Sequence, residues 1–182
     1  MLEIKDPIIP SCINNGQLKY AAEETDYEYI MLKMGDIFTV RKIANYLHGR
    51  GKKMMVHLDS LKGITRDSTG FEFLKKSGVD SVITMKSRQI RMIKDAGITA
   101  VLGCFIVDSA SLEQTIVNTR SNKPDAIIIM PMTVPDTVYE RIRETCDVTI
   151  LAGGLGVNRE IIRHVLDLGV SACAVTDAEM FL

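Results

Sequence analysis

The chain has 182 residues, a formal net charge of −1, 46% hydrophobic residues and 25% charged residues. This balance is typical of a globular protein, and it excludes a disordered chain, which has fewer apolar residues and more net charge. It also excludes a polycation that binds nucleic acid over its whole surface, although it leaves room for a local basic patch. We therefore expect a single domain over residues 1–182.

The start of the chain and the cysteines favour a cytoplasmic protein. The N-terminal segment is charged and lacks the apolar stretch of a signal peptide. The longest apolar run, around residues 126–132, is far shorter than the roughly 20 residues that span a membrane. Widely spaced cysteines in or beside apolar runs are predicted to be buried free thiols in a reducing compartment. The four cysteines are Cys12, Cys104, Cys146 and Cys173.

Short apolar runs alternate with segments of helical period along the chain. Most runs are apolar throughout, which is typical of strands buried on both faces of a parallel sheet. Between them, apolar residues recur at steps of three and four, as in Ile37, Val40, Ala44 and Leu47, which predicts amphipathic helices. The eight runs cover residues 8–13, 27–32, 53–58, 81–85, 100–107, 126–130, 148–152 and 172–176.

Glycines mark the ends of the predicted helices. Left-handed backbone at a helix end favours glycine, because it has no Cβ. The glycines in this position are Gly49, Gly51, Gly78, Gly97 and Gly169.

Repeated βα units predict a parallel sheet with right-handed crossovers, and eight units predict a closed TIM-type (β/α)8 barrel. Such barrels usually take about 250 residues, so this chain requires short loops and reduced helices. We expect a small first helix near residues 17–24, a short helix between residues 59 and 73, and at most one turn over residues 177–182. An open doubly wound parallel sheet with fewer strands is the alternative.

The glycine pair after the seventh predicted strand is the sharpest local feature. Residues 150–158 read I-L-A-G-G-L-G-V-N, with a helix beginning near Asn158. Glycines let backbone N–H groups approach a ligand closely, and barrels commonly hold phosphate after strands seven and eight. Gly153 and Gly154, with Thr176 after the eighth strand, therefore predict a phosphate site. The alternative is a tight turn that needs glycine only for its geometry.

A second candidate site follows the third predicted strand. Residues two apart on a strand share a face, so Met55, His57 and Asp59 are predicted to point together into the barrel mouth. Asp59 would accept hydrogen bonds from ligand hydroxyls and His57 would donate one, or the two would form a catalytic acid–base pair. A structural His57, hydrogen-bonded inside the barrel, is the alternative. The other histidines fall on predicted outer helices, so we expect no metal site.

Basic residues follow the third and fourth predicted strands. The residue that closes the fourth strand, Lys86, is placed to face an anionic ligand. Arg88 and Arg91 are three apart and are predicted to share one side of a helix. With Lys62 and Arg66, they form either a solvated surface or a patch for phosphate or RNA backbone. No catalytic triad, P-loop or paired glutamate is visible, which favours a binding protein without a cofactor.

Sequence motifs spread in order over nearly the whole chain suggest a family. The most specific is residues 51–59, G-K-K-M-M-V-H-L-D. Others are Ile9-Pro10, Gly63-Ile64, Asp67, Gly70, Glu72-Phe73, residues 105–109 (F-I-V-D-S), Lys123-Pro124-Asp125, Pro131 to Pro135, and Ala152-Gly153-Gly154. In this order the motifs resemble the glycerol uptake operon antiterminator regulators.

The resemblance implies a barrel-shaped regulator that senses glycerol 3-phosphate and binds leader mRNA so that transcription passes a terminator. Carried over by position, Gly153, Gly154 and Thr176 hold the phosphate, while Asp59 and His57 face the glycerol hydroxyls. A small barrel enzyme that acts on a phosphorylated polyol or related metabolite is the alternative. Either protein is compatible with a homo-oligomer.

The chain departs from the family pattern at three places. Gly103 and Lys86 stand where the family can carry arginine, and Met132-Thr133 stands where a glycine is familiar. These departures bear on RNA binding more than on ligand binding.

Overall fold

Eight parallel strands close into a barrel in the computed structural model, which describes residues 2–156 and 158–181. Each strand pairs with the next along the chain, and the eighth pairs with the first. The predicted TIM-type barrel is therefore confirmed, and the open sheet is wrong. The strands are β1 Ile8–Cys12, β2 Tyr29–Leu32, β3 Lys53–His57, β4 Ser81–Thr84, β5 Thr99–Phe105, β6 Ala126–Met130, β7 Thr149–Gly153 and β8 Ala172–Val175.

The helices are as short as the chain length requires. Only a 3-10 turn over Ala178–Met180 follows β8, which agrees with the expected single turn; Leu182 lies outside the described residues. None of the helices in the described part of the chain is long and apolar enough to cross a membrane. The helices are α1 Asn15–Glu24, α2 Val40–His48, α3 Ser68–Lys76, α4 Ile90–Asp95, α5 Ser109–Asn122, α6 Asp136–Thr145 and α7 Arg159–Asp167.

Side-chain caps begin several helices directly after short loops. Asn14, Asp67 and Asn158 each accept a backbone N–H from the first turn of α1, α3 and α7. Such a cap satisfies a backbone donor that the helix leaves unpaired. Four of the five predicted helix-end glycines have positive φ, but Gly49 has φ −61°. The prediction is wrong at Gly49 because the turn out of α2 is made two residues later, at Gly51.

Two apolar layers form the core. One lies between strands and helices, and the other fills the barrel interior with residues such as Ile9, Met31, Met55 and Ile83. Side chains alternate between the two layers along each strand. The interior layer therefore fixes which residue of each strand faces the mouth of the barrel.

All four cysteines are buried free thiols, as predicted. Burial raises the pKa of the Cys12, Cys104 and Cys173 thiols to about 12. These three side chains are therefore protonated and apolar in character near neutral pH.

Candidate ligand site at the barrel mouth

Polar side chains continue the interior positions of three neighbouring strands. Ser11 follows Ile9 by two residues on β1, Lys33 follows Met31 by two residues just past the end of β2, and His57 ends β3. The Lys33 N–H donates to the Cys12 carbonyl at 2.9 Å, which extends the ladder between β1 and β2 by one residue. Strand alternation therefore directs all three side chains toward the mouth.

Two atoms of this polar layer are buried without a partner. Ser11 is 1% exposed, and neither its Oγ nor His57 Nδ1 forms a hydrogen bond within the described residues. The alternative interpretation of His57, as a hydrogen-bonded structural residue, is therefore not supported. A buried unpaired polar atom destabilises a fold by about 1–3 kcal/mol, so these atoms are natural contacts for a ligand.

Burial and a nearby charge lower the pKa of the mouth histidine and so favour its neutral form. Burial is the main cause that lowers the pKa of His57, and the Lys33 ammonium lowers it further, while Asp59 acts weakly in the opposite direction. Burial also lowers the pKa of Lys33. A neutral imidazole carries one N–H donor and one acceptor nitrogen.

Asp59 does not continue the alternation that the sequence predicts. β3 ends at His57, and Leu58–Ser60 form a 3-10 turn. One Asp59 oxygen lies 2.9 Å from a guanidinium nitrogen of Arg66, and both side chains are 40% exposed. The ligand contact predicted for Asp59 would therefore compete with an ion pair to a predicted RNA-binding residue.

The glycine turn lies on the other side of the mouth, at the end of β7. Gly153 is buried, and a Cβ there would lie 3.1 Å from Ile128 Cδ1. Gly154 is exposed with φ +73°, and a Cβ there would make an ordinary van der Waals contact with Pro131 Cα at 3.8 Å. Packing against Ile128 therefore explains the glycine at position 153, and the left-handed backbone conformation explains the glycine at position 154. Phosphate binding here remains a prediction.

Gln17 joins the ends of β8 and β1, which the sequence did not indicate. Its side-chain Nε2 donates to the Thr176 carbonyl at 2.8 Å, while its Oε1 accepts the Ile13 N–H at 2.9 Å. Gln17 thereby fixes half-buried Thr176 beside the mouth. Nothing in its place on α1 distinguishes it by sequence from a solvated helix residue.

Met85 occupies the mouth after β4, in the position expected for Lys86. Met85 packs against the interior layer, while the next residue, Lys86, is exposed. A Cβ on Gly103 would lie 2.2 Å from Met85 Sδ. A side chain at position 103 would therefore require Met85 to change its rotamer, and the glycine leaves room for the Met85 side chain in its present place. The ligand role of Lys86 stays a prediction.

The predicted RNA-binding residues are exposed and lie in the segments that follow β3 and β4. Arg88 belongs to the 3-10 turn Ser87–Gln89, whereas Arg91 lies in α4, where it pairs with Asp95 at 3.8 Å. The prediction that both share one helix is therefore wrong, because α4 begins at Ile90. Lys62 and Arg66 lie in the loop before α3.

Backbone hydrogen bonds join the loop after β2 to the loop after β3. The Ile37 N–H donates to the Lys62 carbonyl at 3.0 Å, and the Lys62 N–H donates to the Gly35 carbonyl at 3.1 Å. These two loops therefore form one surface.

Two exposed aromatic rings flank the basic loops. Phe38, after β2, is 83% exposed, and Phe105, at the end of β5, is 60% exposed. Asp36 accepts the Phe38 N–H at 2.9 Å and caps the turn that holds the ring outside. Sequence reasoning missed both rings, although the Asp36-to-Thr39 turn just after a strand is a signal for the first.

A groove outside the mouth lies between α6 and α7, with a volume of about 460 Å³. It is lined by Pro135, Tyr139 and Ile161, among others, and His164 Nε2 lies 2.9 Å from Asp136 Oδ1 across it. None of the predicted site residues lines this groove.

Comparison with known proteins identifies the family. A family model described as glycerol-3-phosphate responsive antiterminator matches residues 8–181. In Escherichia coli, the uncharacterized protein YgcP is 28% identical over 177 residues, which cover 95% of this chain and 90% of YgcP.

Solved structures agree with this fold. A glycerol uptake operon antiterminator-related protein from Thermotoga maritima is 27% identical, with a TM-score of 0.87 over 98% of this chain and 99% of that one. The glycerol uptake operon antiterminator regulatory protein from Listeria monocytogenes is 22% identical, with a TM-score of 0.88 over 97% and 95%. The tryptophan synthase α-subunit from Pyrococcus furiosus, at 15% identity and a TM-score of 0.66 over 96% and 88%, shares the barrel alone. The match over residues 8–181 shows that this chain belongs to the glycerol-3-phosphate responsive antiterminator family.

Proposed function

We propose that this protein binds glycerol 3-phosphate at the barrel mouth and leader mRNA at the adjacent rim, so that the metabolite controls transcription past a terminator. The observation that carries the proposal is the polar layer of Ser11, Lys33 and His57, with two buried atoms that lack partners. Donors in this position at the barrel mouth suit a small anionic molecule.

The effector would lie across the mouth. Its phosphate would accept backbone N–H groups at Gly153 and Gly154 and the Thr176 hydroxyl, as is common after strands seven and eight of barrels. Its hydroxyls would reach His57 and Asp59 on the β3 side. β3 and β7 lie on opposite sides of the closed barrel, so the effector would span the mouth from one side to the other.

The RNA would lie along the loops after β2 to β5. Lys62, Arg66, Lys86, Arg88 and Arg91 would contact the phosphate backbone, and the exposed rings of Phe38 and Phe105 would stack with bases. Stacking of a base on an aromatic ring contributes about 1–3 kcal/mol.

The Asp59–Arg66 ion pair offers a route between the two ligands. An effector hydroxyl that binds Asp59 would compete with Arg66 and release its guanidinium toward RNA. When both ligands contact residues of the same ion pair, binding of one changes the affinity for the other, and this change in affinity is reciprocal.

The test is leader-RNA binding by the full chain, measured by fluorescence anisotropy with and without glycerol 3-phosphate. We expect RNA affinity to rise with the effector, and the effector response to fall in Asp59→Asn, which keeps the side-chain shape but removes the charge. Equal RNA affinity with and without glycerol 3-phosphate would contradict the proposed coupling. Absence of RNA binding under both conditions would contradict the regulator itself.

The second candidate function is a small barrel enzyme that acts on a phosphorylated polyol. The position of His57 two residues before Asp59, whose charge acts on the pKa of the imidazole, favours it, because such a pair can move a proton. Turnover of a phosphorylated polyol that Asp59→Asn abolishes would establish the enzyme in place of the regulator.

A further inference from the structure

Lys33 is a half-buried cation without a counter-charge. Within residues 2–156 and 158–181, its side chain forms neither an ion pair nor a hydrogen bond, and it lies near enough to His57 to lower the pKa of that imidazole. A buried charge is costly unless it is paired.

The fold satisfies its other enclosed lysine differently. Lys52 is 8% exposed, and its Nζ donates to the Thr25 carbonyl. Nearby, Lys53 Nζ lies 2.7 Å from Glu28. Among the described residues, Lys33 has neither a carbonyl nor a carboxylate partner, which makes its ammonium a candidate ligand-binding group.

The surroundings of Lys33 are rich in donors. The Ser11 hydroxyl and a neutral His57 imidazole can each donate one hydrogen bond, and both have a buried atom without a partner. The carboxylate nearest in sequence to His57 is Asp59, which Arg66 already engages at 2.9 Å. An ammonium with two neighbouring donors recognises an anion.

We infer that Ser11, Lys33 and His57 form an anion subsite separate from the glycine turn, and that the preferred effector is a phosphorylated three-carbon acid. The phosphate would bind at Gly153 and Gly154, and the carboxylate at Lys33. This inference rests on the proposed function, because it adopts the phosphate site assigned there. An uncharged glycerol hydroxyl would leave the ammonium uncompensated, whereas a carboxylate forms charge-assisted hydrogen bonds, which are roughly twice as strong as neutral ones.

Calorimetry on the full chain with three probes tests the subsite. The probes are 3-phosphoglycerate, glycerol 3-phosphate and glycerate, which carry both groups, phosphate alone and carboxylate alone. We expect the wild type to bind 3-phosphoglycerate at least about tenfold more tightly than glycerol 3-phosphate, as a charged hydrogen bond predicts.

Substitutions separate the subsite from general charge attraction. Lys33→Met should abolish the preference for 3-phosphoglycerate, so that both phosphorylated probes bind about equally. Lys42→Met removes the same charge from an exposed position on α2 and should keep the preference. Ser11→Ala, which changes the volume little, should reduce the preference without a large effect on folding.

The outcomes distinguish this inference from the proposed function. Equal binding of both phosphorylated probes, or a preference that survives Lys33→Met, overturns the anion subsite while the glycerol 3-phosphate site stands. Glycerate binding that depends on Lys33, without binding of glycerol 3-phosphate, supports the subsite and overturns the phosphate assignment. If none of the probes binds a folded wild type, both fail.

Discussion

The rim of the barrel mouth divides into two halves of different character. Within the described residues, the segments after β2 to β5 carry the lysines and arginines assigned to RNA, together with exposed Phe38 and Phe105. Carboxylates occur on both halves: Asp36, Asp59, Asp67 and Asp108 follow β2, β3 and β5, while Asp136 and Glu160 begin α6 and α7 and Asp177 and Glu179 follow β8. What distinguishes the β2 to β5 half of a chain of net charge −1 is therefore its concentration of long cationic side chains and exposed rings.

The two halves also differ in what their loops can hold. The β7 end brings backbone close to the mouth through glycines, whereas the β2 to β5 loops project long charged side chains and aromatic rings. Backbone donors suit a small anion, and projecting side chains suit an extended one. The comparison predicts that effector binding and RNA binding can be damaged separately.

Gly154→Val should have the largest effect, the loss of glycerol 3-phosphate binding. A β-branched residue is strained at φ +73° and would also crowd the approach to the backbone. Gly51→Val is the matched control, since Gly51 has φ +71° and open space at the opposite end of the barrel. Calorimetry and thermal unfolding should show similar destabilisation in both variants but ligand loss only in Gly154→Val. Tight binding by folded Gly154→Val would place the phosphate elsewhere.

The sequence was sufficient for the fold because the barrel strands are buried on both faces. Runs such as Ala126–Met130 contain no polar residue, and glycines separate the units. The mouth was harder to predict. His57 follows from Met55 by alternation, but Lys86 lies one residue beyond the inward position that Met85 takes, and a shift of one residue reverses the face.

Lys33 and Ser11 escaped the site prediction for a different reason. A lysine after an apolar run resembles a solvated strand end, and a serine within an apolar run resembles a small core residue. Only the closed barrel shows that both continue interior positions beside His57. Their lack of partners is a property of the packed structure and has no counterpart in the sequence pattern.

Phe38→Ala should weaken RNA binding by about 1–3 kcal/mol if a base stacks on the ring. Phe38→Tyr keeps the aromatic face and should retain most of the affinity. Val117→Ala, at an apolar position of α5 that is 55% exposed, is the control for removal of exposed apolar surface. Anisotropy with leader RNA measures all three. Equal losses in Phe38→Ala and Phe38→Tyr would argue against stacking.

Arg88→Ala combined with Arg91→Ala should reduce the salt dependence of RNA binding. Each phosphate contact on a single strand contributes a log–log slope of about −0.7, so the slope should flatten by about 1.4. Glycerol 3-phosphate affinity should stay nearly unchanged. Arg141→Ala combined with Arg163→Ala removes two arginines from helices outside the basic loops and should leave the slope intact. An unaltered slope in the Arg88 and Arg91 variant would place the RNA surface elsewhere.

The smallest expected effect is the pH dependence of protein stability that His57 causes. Its pKa in the folded protein is lowered, mainly by burial and then by Lys33, whereas an unfolded histidine has a pKa of about 6.5. As pH falls through that value, the unfolded chain binds a proton that the folded protein resists, so stability falls. Thermal unfolding of the wild type between about pH 8 and pH 5.5 should therefore show a decline that His57→Gln reduces.

Effector binding should also change the protonation of His57. An anion bound at Lys33 would offset the ammonium charge that lowers the pKa of His57, so binding should raise that pKa and take up a fraction of a proton below neutral pH. Calorimetry in two buffers with different ionisation enthalpies measures this uptake directly. We expect uptake with 3-phosphoglycerate to exceed uptake with glycerol 3-phosphate, and His57→Gln to remove the difference. Uptake that is equal for both ligands would show that the carboxylate does not reach the β3 side of the mouth, which would leave the glycine turn as the sole anion site of this comparison.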